Sequence, residues 1–229
     1  MHPTSEGLAD IFHLSIPAPA LDIVIFTIYR DELALLLLRL EDGKYSLPGG
    51  IVSVGESLEQ AFDRILKSKT NIEGVYKEQL YTFGDPNRDK RGHVLSIAYY
   101  ALFSAEILYH DADLTRVAIV PVSNLSKENC LYDHFAIVSY AHERLAYKLE
   151  YTNVAQNILP EKFTLSQLQR VYELILSRPI DKRNFRKKIL SLGIVRELPE
   201  KTKMGTRRPA TLYEFTHKDM QVVEMGKGF

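Results

Sequence analysis

The stretch from residue 21 to residue 40 constrains the fold more than any other. Leu21 to Tyr29 reads LDIVIFTIY and Glu32 to Leu40 reads ELALLLLRL, with only the polar pair Arg30-Asp31 between them. Runs this rich in aliphatic residues are predicted as buried strands, and so short a polar connection joins them by a tight turn. The most apolar run, Leu33 to Leu38, is far shorter than the roughly 20 residues a membrane-spanning helix needs. Hydrophobic residues make up 45% of the chain and charged residues 25%, the balance of a soluble globular protein. Trp is absent, but 13 Tyr and 10 Phe supply aromatic bulk. The single cysteine, Cys130, excludes an intramolecular disulfide, which fits a reducing compartment. The start of the chain lacks a basic segment followed by an apolar one, so no signal peptide is expected and the expected location is cytoplasmic.

After the hairpin comes a Gly-rich loop, Ser46-Leu47-Pro48-Gly49-Gly50, then a helix predicted from about Ser57 to Thr70. Its apolar residues Leu58, Ala61, Phe62, Ile65 and Leu66 fall on one helical face. Strands are predicted over Val75 to Phe83, Val94 to Phe103 and Ala118 to Val122, and a helix over Asp133 to Glu150 with Ile137, Tyr140, Ala141, Leu145 and Leu149 as its inner stripe. This is a mixed α/β domain, placed at residues 1–152. Tyr151 to Phe163, with Asn157-Ile158-Leu159-Pro160 inside it, reads as a linker packed in part. Beyond it Thr164 is set to cap a helix from Leu165 to Leu176, and Asp181 a second from Lys182 to Leu192 that Gly193 ends. Two short strands, Ile194 to Leu198 and Thr211 to Phe215, complete the order of a winged helix-turn-helix, placed at residues 153–229.

Charge divides along the same line. Formal net charge is zero, yet residues 160–229 hold 15 Lys and Arg against 8 Asp and Glu, leaving the remainder acidic. A basic second domain is a candidate for nucleic acid, although charge alone describes a solvated basic face equally well.

From Gly50 onward the residues resemble the Nudix box, in which Gly and Glu precede Arg-Glu-aliphatic-x-Glu-Glu-x-Gly-aliphatic. Gly50, Glu56, Arg64, Leu66 and Ile72 occupy their places. The resemblance implies an α/β/α sandwich and a chemistry in which Mg²⁺ neutralises a pyrophosphate and helps to activate water. The glutamates that would hold the metal are replaced by Ile65, Ser68 and Lys69. Two of these are neutral groups with no carboxylate and the third is a cation that repels the metal, so no catalytic residue, no metal and no cofactor are expected. Glu56 and Arg64, the pair that in the family holds the loop against the helix, remain. Glu56, Glu59 and Asp63 offer a substitute carboxylate set, or are simply acids favoured near a helix N-terminus.

The segment Gly84-Asp85-Pro86-Asn87-Arg88-Asp89-Lys90-Arg91-Gly92 is similar to the ligand loop of ADP-ribose-type Nudix proteins and their regulatory relatives. With the Gly-rich loop it designates Gly49, Gly50, Arg88, Asp89 and Arg91 as ligand-binding residues, the arginines suiting phosphate oxygens. A turn held by an Asp–Arg pair is the alternative. His93 and His134 read as packing or capping residues, and no His/Cys cluster suggests zinc.

In the second domain Phe185, Ile189 and Leu192 face the core, leaving Lys182, Arg183, Asn184, Arg186 and Lys187 outward on the helix that enters the major groove in helix-turn-helix proteins. Arg183 and Asn184 are of the types that read guanine and adenine edges, and the lysines suit phosphate. Residues 201–210 are predicted to form a basic, Gly-containing wing, which would put Lys203, Arg207 and Arg208 at the adjacent minor groove. From Lys182 to Arg208 there are 10 basic residues and 2 acidic ones, which favours DNA over a protein-binding winged helix.

The order of the two domains, with Leu159-Pro160-x-x-Phe163-Thr164-Leu165-x-x-Leu168-Gln169 at the junction and Arg208-Pro209-Ala210-x-Leu212-Tyr213 in the wing, resembles the Nudix-related transcriptional regulators of the NrtR type. The resemblance implies a homodimeric repressor, an inverted-repeat operator in double-stranded DNA, and a small-molecule effector such as ADP-ribose or a sugar. No membrane partner is expected, because no apolar run is long enough to span a bilayer. An active pyrophosphohydrolase with a DNA-targeting tail, and a nucleotide-binding adaptor that grips a protein, are the competing readings.

Overall fold

Two left-handed residues make the first hairpin. Arg30 and Asp31 have φ of 51° and 66°, the sign pattern of a type I′ turn, whose twist matches that of the strands it joins. In the computed structural model, which describes residues 16–107, 115–202 and 209–223, that turn connects β1 (Ala18–Tyr29) to β2 (Glu32–Arg39), with Tyr29 opposite Glu32 and Phe26 opposite Leu35. The sheet also holds β3 (Tyr45–Ser46), β4 (Gly49–Ile51), β5 (Tyr76–Phe83), β6 (Val94–Leu102) and β7 (Val117–Pro121), in the order β3-β2-β1-β6-β5, with β4 paired to β1 and β7 to β2. The β1–β6 pair is parallel and the others are antiparallel.

Because successive strand residues point to opposite faces, β1 feeds two cores. Leu21, Ile23 and Ile25 pack with Ala61, Phe62, Ile65 and Leu66 of α1 (Leu58–Thr70). Val24 and Phe26 join Ile137, Ala141, Leu145 and Leu149 of α2 (His134–Leu149) on the other face. Ser57 and Gln60 form a reciprocal capping box at the start of α1, and Asn71, at φ 63°, closes its end where the box pattern has Gly. At the far end of α2, Lys148 pairs with Glu78 of β5, which also accepts from the Tyr76 and Tyr100 hydroxyls at 2.6 and 3.0 Å.

The winged helix follows as α3 (Leu165–Leu176), α4 (Lys182–Ser191), β8 (Val195–Thr202) and β9 (Ala210–Phe215). Thr164 and Gln167 cap α3 reciprocally, and the Asp181 side chain accepts the Asn184 N–H to cap α4. Phe163 and Tyr213 exchange backbone hydrogen bonds of 2.9 and 2.7 Å, tying the entry of α3 to the hairpin. The ring of Phe185 meets that of Tyr172 edge-on at 5.3 Å, locking α4 on α3.

Several expectations change. Residues 151–163, expected as a partly packed linker, are packed along most of their length. Val154, Ala155, Ile158, Leu159 and Phe163 are all buried, because their apolar side chains fill the seam between α2 and α3. One hydrophobic cluster therefore runs from the sheet through α2 and this segment into α3 and α4. Across the seam His142 Nε2 lies 2.8 Å from the Ile175 carbonyl, and Arg170 donates to the carboxylate and backbone carbonyl of Asp31, at 2.9 and 3.0 Å. Tyr140 leaves the inner stripe of α2. It is 37% exposed and stacks with Tyr81 and Phe83. Strand β8 continues past Pro199 to Thr202, its register breaking between Glu197 and Lys201, where a residue without N–H is accommodated. The Gly-rich loop contributes two short strands, β3 and β4.

Candidate ligand site and nucleic-acid face

Strand β4 owes its position to glycine. A Cβ on Gly49 would collide with the carboxylate of Asp22 and lie 3.0 Å from the Leu21 carbonyl, so only Gly lets the two backbones pair this closely. Beside it the loop after β4 is clamped to α1. Arg64 Nε and Nη2 donate to the two Glu56 oxygens at 2.6 and 2.7 Å, Nη2 also reaches the Ile51 carbonyl at 3.0 Å, and Glu56 accepts the Ser53 N–H at 2.9 Å. These donors, Arg64 first, hold the Glu56 carboxyl down at about 2.

The mouth of the sheet next to this clamp opens as a cavity of about 510 Å³, a volume suited to a small metabolite. Gly49, Gly50, Arg88, Asp89 and Arg91, the five residues singled out for a ligand, all line it. The two arginines are not equivalent. Arg88 has only 3% of its side chain exposed, and it grips both oxygens of Asp133 at 2.9 and 2.7 Å and Asp22 at 3.3 Å. Burial opposes its charge, and the two carboxylates outweigh burial and raise its pKa. Arg88 thus holds the ligand loop to the residue that precedes α2. Arg91 is 74% exposed, with its guanidinium on Asp89 at 2.7 Å and above the ring of Tyr132. Asp89 is itself buried, and Arg91 holds its carboxyl down at about 2.

Asp22, His134 and Lys69 are among the other residues that line the cavity. Asp22 accepts from Ser96 Oγ at 2.6 Å as well as from Arg88. The buried His134 accepts the Leu47 N–H on Nδ1 at 3.0 Å, which places the proton of the neutral ring on Nε2, 3.8 Å from Asp22. Burial lowers its pKa. Asp22 was detectable in the sequence as a carboxylate interrupting an aliphatic strand. Nothing local to His134 marks its place.

At the positions of the missing box glutamates, Ile65 is buried in the α1 core and the Ser68 hydroxyl donates to the Ile65 carbonyl at 3.2 Å. Among the described residues no three His, Cys, Asp or Glu side chains are grouped to hold a metal ion. Nor is any helix among them long and apolar enough to cross a membrane.

In the winged helix Phe185 and Ile189 are buried while Lys182, Arg183, Asn184, Arg186 and Lys187 are exposed. None of those four cations has an ion-pair partner among the described residues, whereas Arg196 pairs with Glu214 and Lys162 with Glu200. The outer face of α4 is therefore an uncompensated basic surface. Lys203, Arg207 and Arg208 lie outside the described residues.

Residues 155–215 match the family model for the NrtR DNA-binding winged helix domain, and residues 18–136 that of the NUDIX domain. The chain is 30% identical over 210 residues, 89% of its length and 84% of the relative's, to the ADPR responsive transcriptional repressor NtrR of Acinetobacter baylyi. It is 33% identical over 125 residues, 53% of its length and 71% of the relative's, to an ADP-ribose pyrophosphatase of Methanocaldococcus jannaschii. Shewanella oneidensis NrtR complexed with a 27mer DNA superposes with a TM-score of 0.74 at 32% identity, covering 86% of this chain and 93% of that one. The NUDIX domain of that protein complexed with ADP ribose gives 0.54 at 31% identity, covering 62% and 99%.

Proposed function

The chain belongs to the NrtR family of Nudix-related transcriptional regulators, and from that premise we propose that it is a repressor that grips an inverted-repeat operator as a homodimer and releases it when ADP-ribose fills the sheet-mouth cavity. The observation that carries this reading is the outer face of α4, whose cations lack the ion pairs that neutralise Arg196 and Lys162. Arg183 and Asn184 read base edges, Lys182, Arg186 and Lys187 meet phosphate, and Lys203, Arg207 and Arg208 reach the minor groove. Residues 1–152 sense and residues 153–229 read DNA. Arg88 offers the mechanical link, since it joins the ligand loop to Asp133 at the start of α2, and α2 packs on α3.

The competing reading, hydrolysis, has a relative in its favour in the M. jannaschii pyrophosphatase. Against it stand Ile65, Ser68 and Lys69, which supply no carboxylate where the metal would be held. Conversion of ADP-ribose to AMP and ribose 5-phosphate in Mg²⁺ would sink the sensor assignment.

The test of the DNA half is fluorescence anisotropy on the duplex upstream of the gene, with and without ADP-ribose, over a salt series. Each phosphate contact contributes a slope of about −0.9 in log K against log salt. Arg183→Ala combined with Arg186→Ala should abolish specific binding and flatten that slope. Unchanged binding would mean that α4 is not the recognition helix.

A further inference from the structure

The metal that serves the Nudix reaction does not fit this site. One of its helix positions is closed by the buried Ile65, another holds a hydroxyl turned onto its own helix, and the third is a lysine. The third position is the informative one. The Lys69 side chain lines the cavity, and among the described residues its ammonium has neither a hydrogen-bond nor an ion-pair partner. The other two strong cations lining that cavity are already matched, Arg88 by Asp133 and Asp22, and Arg91 by Asp89. Asp22 and Asp89 also line the cavity, so an anion bound there meets carboxylates as well as cations and needs a counter-charge that is not already engaged. A diphosphate brings about two negative charges into such a space. A hydrolase meets them with a divalent cation held by carboxylates. Here the side chain at a carboxylate position carries the positive charge itself.

We infer that Lys69 takes the place of the metal as counter-charge to the ligand's diphosphate, so that the cavity binds a nucleoside diphosphate conjugate without a divalent cation and discriminates against ligands that lack the diphosphate. The same substitution that removes a route to hydrolysis supplies the binding charge. This rests on the ADP-ribose reading of the cavity.

Isothermal titration of the full chain with ADP-ribose, in EDTA and in Mg²⁺, tests it. The wild type should bind with the same Kd in both buffers. Lys69→Gln should weaken binding by about ten- to a hundredfold in both, the worth of one hydrogen bond to a charged group. Lys69→Arg should restore most of the affinity. Binding of adenosine, which has no phosphate, should be the same in all three proteins, and an unchanged melting temperature shows that the variants are folded. Tightening of the wild type by Mg²⁺, or wild-type affinity in Lys69→Gln, overturns the role of Lys69 and leaves the effector standing. A folded wild type that binds no ADP-ribose in either buffer refutes the effector, and this inference with it.

Discussion

Replacing Arg88 with Met keeps most of the side-chain volume and deletes the charge. The guanidinium is 3% exposed and makes two bonds to Asp133, of 2.9 and 2.7 Å, and one of 3.3 Å to Asp22. Removing one partner of a buried ion pair costs about 3–5 kcal/mol, because the carboxylates left behind keep their desolvation penalty. The Asp133 side chain is 25% exposed and that of Asp22 11%, so water relieves part of this and the low end applies, about 3 kcal/mol. In a chain of 229 residues each kcal/mol moves the melting temperature by about 2–4 °C, giving a drop of roughly 6–12 °C. With no Trp to report, unfolding is followed by far-UV circular dichroism in urea and on heating. Asp133→Asn alone and combined with Arg88→Met completes a double-mutant cycle, which should return a coupling of at least about 1 kcal/mol. ADP-ribose affinity should fall in parallel, since the ligand loop loses its anchor. A loss below about 1 kcal/mol with strictly additive mutants would place Arg88 among ordinary surface cations and remove it as the link between loop and α2.

Two other perturbations read the scaffold around the cavity. The Glu56 carboxyl titrates at about 2 in the folded chain against an ordinary 4.5, so its stabilising contribution is whole above 4.5 and drains away as pH falls toward 2. Glu56→Gln should therefore melt below the wild type at neutral pH, with the gap closing across that window. A gap independent of pH would mean that Arg64 does not recognise the ionised carboxylate. Gly49→Ala drives a methyl group into Asp22 and should abolish ADP-ribose binding in a titration, while Gly50→Ala, whose Cβ meets Ile65 at 3.3 Å, should weaken it far less. The opposite ranking would contradict the close approach of β4 to β1.

Much of this was legible because local chemistry and tertiary context agree. The Arg30-Asp31 turn, the start of α1 near Ser57, the Thr164 cap and the unbroken burial of β1 each rest on residues whose preferences match the place they occupy. The cavity lining was legible in part, in the Gly-rich loop that holds Gly49 and Gly50 and in the segment that holds Arg88, Asp89 and Arg91. What the sequence concealed depends on partners far along the chain. Arg88 reads equally as a phosphate ligand or as half of an Asp–Arg pair in a turn, and its partner Asp133, which accepts from Nε and Nη2, lies 45 residues further on. Tyr140 has helical spacing for the core, but the edge strand β5 gives it Tyr81 and Phe83 to stack on at the surface. The segment from Tyr151 to Phe163 has the Asn and Pro of a linker, and its buried Val154, Ile158 and Phe163 are explained only by the seam that they fill. Lys69 reads as a loss of function in the helix and as a binding group in the cavity.

The continuity of apolar packing from α2 into α3 and α4 limits how such a regulator can be recombined. Cut at residue 153, the DNA-reading half would carry Leu168, Val171 and Ile175 on α3 without the α2 residues that share their cluster, and Arg170 without Asp31. A chimera that exchanges sensors must therefore bring along α2 and the β1–β2 turn, or redesign the face of α3 to suit new neighbours. Substitutions in the seam will register in effector response and in operator affinity together, because the α2 face of the sheet and the winged helix share one close-packed cluster.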